Sequence, residues 1–274
     1  VINASNEFLI NLKEKRQFSA KATITLADNS ILNVTEEDIV VKGMSFSDAT
    51  SKKNSFEVGT AIINSCTLLL NNVEKKFSGY DFSDAVIRPY IGLRVENGIE
   101  WLEKGVFTVQ EPTENSSIIY LSAVDYMQKT ERPFSEVSVI IPATVRVLLN
   151  AICNHCGVVL NTQDFTNKDF VIAKDLIPEY ASCREVIAWI SQITGNNARF
   201  NNKGYLELKW YDLSLVENEE NYHTFDAIER ARIYTDDIEV NGIEVKTENN
   251  TYLFGEHGYI VRIEDNPLIT DATA

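Results

Sequence analysis

The chain has 274 residues, 44% hydrophobic and 24% charged, which suits two or three soluble domains rather than one small core. Its net charge of −15 is concentrated in residues 212–274, where 15 acidic and 4 basic side chains leave a net of −11. That balance argues against stable nucleic-acid binding, because a protein that tracks phosphates needs a basic face. No run of about 18 apolar residues is present, so no helical membrane span is expected.

Asn6–Lys15 reads as a short amphipathic helix, with Phe8, Leu9 and Leu12 on one side and Ser5 or Asn6 able to cap it. Phe18, Ala20, Ala22, Ile24 and Leu26 then alternate as a half-buried strand does. Ala27-Asp28-Asn29-Ser30 supplies turn residues, and Ile31–Val34 is the returning strand. Further strands are predicted near 39–46, 54–58, 65–71, 85–95, 99–109 and 116–123. Glu96-Asn97-Gly98 is a hairpin signal, since Asn-Gly readily takes positive φ in a two-residue turn. Short strands at this spacing predict a barrel or sandwich, placed at residues 1–128.

The period then changes. Pro142-Ala143-Thr144 opens a helix with Val145, Leu148, Leu149 and Ile152 at helical spacing, closed by Gly157. Ser182 and Glu185 make a capping box for a second helix, whose buried stripe is Val186, Trp189, Ile190 and Ile193 and which ends at Gly195. Ala198–Phe200 and Tyr205–Trp210 flank Asn201-Asn202-Lys203-Gly204 as a hairpin. Two helices against a small sheet predict an α+β domain at 129–224. Strands return at 238–246, 251–254 and 259–263, too few to close a barrel, so 225–274 reads as an incomplete third domain. With no initiator methionine, the chain reads as an expressed or processed piece.

Little in this sequence is placed for chemistry. Four cysteines are few for the length, and reduced, buried thiols are the expected state. Cys153-Asn154-His155-Cys156 falls at a helix C-terminus, where the local dipole raises thiol pKa values; reactive CxxC pairs use the opposite end. Zinc would need Cys183 as a third ligand, and no second CxxC or HxxxH exists. His155, His223 and His257 stand outside any hydrolase or zinc-protease motif. Glu219/Glu220, Asp236/Asp237 and Glu264/Asp265 could serve as glycosidase carboxylates, but among 40 acidic residues such pairs arise by chance. They also lack the Asp/Asn/Gly order of a calcium loop, and Gly98 and Gly105 belong to strand connections rather than a phosphate loop. Trp189 is expected in the core. Trp101, Trp210, Tyr205 and Tyr211 could form an aromatic platform, but Trp210 and Tyr211 point to opposite faces of a strand. No residue is assigned as catalytic, cofactor-binding or metal-binding, and no cofactor is expected.

Several stretches carry a resemblance that covers almost the whole chain in order. They are INASNEF at Ile2–Phe8, GMSFSDATSKKNSFEVGTAIINSCTLLLNN at residues 43–72 and GVFTV at Gly105–Val109. IPAT at Ile141–Thr144 and ARFNNKGYLELKWYD from Ala198 complete the set. Together they resemble the N-terminal part of bacteriophage and prophage tail baseplate hub proteins, whose fold is shared with the base of VgrG-type spikes. The resemblance implies a mainly β chain, with an inserted α+β domain between two hub-type β-barrels, the second incomplete. It implies a non-enzymatic homotrimer in which two barrels per chain join a six-fold tail tube to a three-fold spike or fibre. The protein would be made in a bacterial cytoplasm and carried in a virion tail, with intersubunit contacts from strand edges within 39–58, 85–109 and 226–263. The acidic C-terminal quarter would then line a channel that repels DNA, or simply form a soluble exterior. Two other classes are weighed: a tail-associated cell-wall hydrolase, requiring carboxylates or zinc to converge in a cleft, and a carbohydrate-binding or adhesin module, requiring coplanar exposed aromatics.

Overall fold

The computed structural model describes residues 4–14, 16–50, 57–115, 117–173, 176–210 and 240–271. The chain is mainly β, with largely antiparallel sheets and a minority of helix. It divides into two units. One comprises Val1–Ala49, Ile63–Gln128 and Phe200–Tyr205; the other comprises Thr50–Ile62, Lys129–Arg199 and Leu206–Ala274.

In the first unit, helix α1 (Asn6–Glu14) is capped by Ser5, whose Oγ accepts the Phe8 N–H at 3.1 Å. Of the expected apolar stripe only Phe8 is buried; Leu9 is 48% exposed. The strands that follow are β1 (Phe18–Thr25), β2 (Ile31–Val34), β3 (Ile39–Phe46), β4 (Ser65–Asn71), β5 (Val86–Val95), β6 (Gly98–Glu103), β7 (Phe107–Asn115) and β8 (Ile118–Asp125). They form one antiparallel sheet in the order β2-β1-β5-β7-β8-β4-β3, with β6 also paired to β5. Ala22 and Ile24 of β1, Leu68 and Leu70 of β4, and Ile119 and Leu121 of β8 share a single core. Strands from both halves of the order meet there, so the sheet curls around its buried face.

Two sequence expectations shift by a few residues. The β5–β6 hairpin pairs Val95 with Gly98, so its loop is Glu96-Asn97. Of the Asn97-Gly98 pair only Gly98 has positive φ, at 128°. The strand expected over 99–109 is two strands, broken where Gly105 adopts φ 153°. A Cβ on Gly105 would stand 2.6 Å from the Phe107 ring, so glycine lets the chain turn against that side chain. Of the strand expected at 54–58, residues 54–56 lie outside the described residues, and 57–58 are not strand.

In the second unit, β9 (Ala143–Thr144) leads into α2 (Val145–Cys156), followed by β10 (Val159–Leu160), β11 (Val171–Ile172), α3 (Cys183–Ile193), β12 (Asn197–Phe200) and β13 (Tyr205–Lys209). Thr144 caps α2, accepting the Val147 N–H at 3.3 Å, and Gly157 closes it at φ 64°. Val145, Leu148, Leu149 and Ile152 are buried as their spacing predicts. The capping box of α3 is formed: the Glu185 N–H donates to Ser182 Oγ at 3.2 Å, and the Ser182 N–H donates to Glu185 Oε2 at 2.8 Å. Ser182→Ala is expected to cost about 1 kcal/mol in chemical denaturation, because the Glu185 amide loses its acceptor and the Glu185 carboxylate loses the hydroxyl donor. A change indistinguishable from zero would mean that packing alone holds this helix start. Trp189 is half-buried rather than in the core; it sits at the edge of the α3 stripe, and its carbonyl accepts from Asn266 Nδ2 at 2.9 Å.

The last described sheet holds β14 (Val240–Lys246), β15 (Thr251–Gly255) and β16 (Tyr259–Ile263) in the order β15-β14-β16, with β14 and β16 parallel. Asn241 makes this tight crossover possible. Its side-chain oxygen accepts the Tyr259 N–H at 2.8 Å, and its carbonyl accepts the Glu256 N–H at 3.0 Å.

Candidate functional site

The sharpest motif in the sequence folds into a thiol cluster. Cys153 and Cys156 face inward from the last turn of α2, and Cys183 is the first residue of α3; all three are buried and free. Burial, then the Cys156 sulfur beside it, pushes the Cys153 thiol up to about 12. Cys156 and Cys183 share a hydrogen bond, so folding joins two thiols far apart in sequence. Donation from Cys183, and then the nearby Arg132 cation, lower the Cys156 pKa, while that same bond raises Cys183. The His155 side chain lies 3.8 Å from Glu136 Oε2, and its Nε2 makes no hydrogen bond. Among the described residues no group of three or more His, Cys, Asp or Glu side chains is arranged to hold a metal ion. Cys66, in the first unit, is also buried, which pushes its thiol to about 12.

Among the described residues the other sequence candidates form no cluster. His257, Glu264 and Asp265 are exposed. His223, Glu219/Glu220, Asp236/Asp237 and Tyr211 lie outside the described residues. Trp101 and Trp210 are half-buried, and Lys21 Nζ stands 4.4 Å above the Trp101 ring.

One acid that sequence reading passes over is unusual. Asp125, at the end of β8, is 5% exposed, and burial drives its pKa up to about 6 against hydrogen bonds from Asn64 and Met127; Asp48 nearby raises it further. Met127 N–H donates to Asp125 Oδ1 at 3.0 Å, and Asp125 N–H donates to the Asn64 carbonyl at 2.9 Å. Asn64 Oδ1 in turn accepts from Ala49 N–H at 2.7 Å and from Ser47 Oγ at 3.3 Å. These contacts join the end of β8, the start of β4 and the segment after β3. The network ties these segments together as a structural clasp.

Each unit carries a groove among its described residues. In the first unit a groove of about 610 Å³ runs beside β3, lined by Phe18, Ala20, Ile39, Met44, Phe46 and Ile91, with Glu36 at its margin. In the second unit a groove of about 590 Å³ is lined by residues 57–62, α3 and β16. Gly59 (φ 78°) lets residues 57–62 run close to α3; a Cβ there would meet Gln192 Cγ at 1.9 Å. Arg184 anchors the same segment, donating to the Ala61 carbonyl at 3.1 Å and to Glu131 Oε1 at 2.6 Å.

Two solved structures of tail proteins are similar to this chain. The 43 kDa tail protein of prophage MuSo2 from Shewanella oneidensis is 12% identical, with a TM-score of 0.52 over 93% of this chain and 74% of that one. A tail protein from Neisseria meningitidis MC58 is also 12% identical, with a TM-score of 0.53 over 91% of this chain and 73% of that one. At this identity the likeness is one of fold. No family model matches the chain, and no curated protein does.

Proposed function

We propose that this chain is a structural, non-enzymatic subunit of a phage or prophage tail, and within it a baseplate hub that joins the tail tube to a spike or fibre. The observation that carries the reading is the shared fold with two tail proteins over more than nine-tenths of the chain. The burial of all four thiols agrees with a role in assembly. In this reading residues 1–128 are a first hub barrel, 129–224 an α+β domain, and 225–274 the beginning of a second barrel. Three copies build a ring in the virion tail, and their contacts are made through strand edges. A hydrogen-bonded edge can extend a sheet into the next subunit without any prior cavity.

Size-exclusion chromatography with light scattering, over a range of protein concentration, tests the ring. The expected result is a species near three times the chain mass of 30.9 kDa. A monomer at every concentration would overturn it.

A further inference from the structure

In the second unit the two helix ends that carry Cys156 and Cys183 are held by one residue. The segment 132–134 pairs with the start of α3: the Cys183 N–H donates to the Arg132 carbonyl at 2.8 Å, and the Phe134 N–H donates to the Ala181 carbonyl at 2.8 Å. Pro133 and Ser182 form the antiparallel bridge between those bonds. From the same segment the Arg132 side chain reaches the last turn of α2, where its Nη1 donates to the His155 carbonyl at 3.2 Å. Gly157 ends α2 directly after Cys156, and Cys183 is the first residue of α3. Arg132 therefore ties both ends down, and the two buried thiols between them share a hydrogen bond.

Hydrogen-bonded sulfurs need only a short approach to reach the bond length of about 2 Å in a disulfide. The pair is also unequal. Cys156 accepts the hydrogen bond and has the Arg132 cation nearby, and both favour its thiolate; Cys183 keeps its proton. That is the division between an attacking thiol and a resolving one. The other two thiols lack it. Cys153, one turn back on α2, has its thiolate opposed by burial, and Cys66 belongs to the apolar core of the first unit.

We propose that Cys156 and Cys183 are a peroxide-sensitive thiol pair that closes to a disulfide and staples α2 to α3. The Cys156 thiolate attacks one peroxide oxygen, the O–O bond breaks and hydroxide leaves, giving a sulfenic acid. The Cys183 sulfur then attacks that sulfur, the S–O bond breaks, and water departs with the Cys183 proton. Two thiols are oxidised and one peroxide is reduced to two waters. Both thiols are buried, which favours an oxidant near the size of water over a bulky disulfide. The product closes residues 157–182 into one loop and so restricts the opened forms of the unit.

Peptide mass spectrometry tests it. The full chain is reduced, exposed to hydrogen peroxide, then unfolded, alkylated and digested. The expected product has lost two hydrogens, carries a Cys156–Cys183 cross-link and leaves Cys66 and Cys153 open to alkylation; dithiothreitol reverses it. Amide hydrogen exchange across α2 and α3 is expected to slow in that product. Cys153→Ala is expected to keep the cross-link, and Cys183→Ala to leave Cys156 taking up oxygen without one. If Cys183→Ala fails to fold, the peptide map of the unmodified chain and Cys153→Ala still decide. Four alkylated thiols after peroxide, a Cys153–Cys156 bridge, or a link between two copies would each overturn the proposal. So would unchanged exchange in a cross-linked chain.

Discussion

Leu121→Ala is expected to lower the stability of the first unit by about 2–5 kcal/mol. Leu121 is fully buried in the middle of β8, which is paired to β7 on one side and β4 on the other. It stands directly across from Leu68, itself fully buried, and belongs to the core that both halves of the sheet share. A strand held on both sides cannot sink into the space left behind, so the lost transfer energy and the unfilled cavity add. Ile118→Ala, at the exposed end of the same strand, controls for strand propensity and is expected to cost under about 1 kcal/mol. Urea denaturation of the three proteins makes the comparison. Equal losses at the two positions would mean that the core is loosely packed around β8.

The second large effect is one of pH. Folding raises the Asp125 pKa to about 6, above the ordinary 3.8, so the protonated acid is the form that the native state favours. Its contribution is complete below about pH 4 and is lost as pH rises through 6. The difference amounts to about 3 kcal/mol at neutral pH. Asp125→Asn keeps an oxygen for the Met127 amide and removes the buried charge. The stability of the parent minus that of the variant is therefore expected to fall between pH 4 and 7 and to be flat above. A difference flat across that range would show that the carboxyl is solvated. Asp38 acts in the opposite sense and at lower pH. Burial opposes its ionisation, but Lys76 at 2.5 Å and the Thr35 hydrogen bonds outweigh it, so its contribution disappears as pH falls below the ordinary carboxylate range.

Local chemistry explains which features could be read in advance. Ile31–Val34, the Ser182–Glu185 box and the left-handed close at Gly157 depend on residues within one turn of each other, and all appear as expected. The break at Gly105 escaped because alternation continues on both sides of it, and the reason for the glycine is a side-chain face that exists only once Phe107 packs. Asp125 reads like any of the chain's acids, since its partner Asn64, just before β4, is distant in sequence. The Cys156–Cys183 bond is likewise a product of α2 meeting α3. The same limit applies to the uncovered half of β1. The Phe18–Leu26 stripe marks a core-facing strand, but which half of it goes uncovered follows from the length of β2.

The distribution of thiols gives the protein a set of internal reporters. Cys66 lies in one unit, while Cys153, Cys156 and Cys183 lie in the other, and none meets solvent in the folded chain. An alkylating reagent can label them only when the surrounding unit opens, so mass spectrometry of pulse-labelled peptides would record two separate opening equilibria in one sample. The Cys66 peptide would follow the Leu121 and Asp125 variants, and the other three would follow Ser182→Ala. Local stability could then be mapped without adding a probe, even in assembled particles too large for spectroscopy.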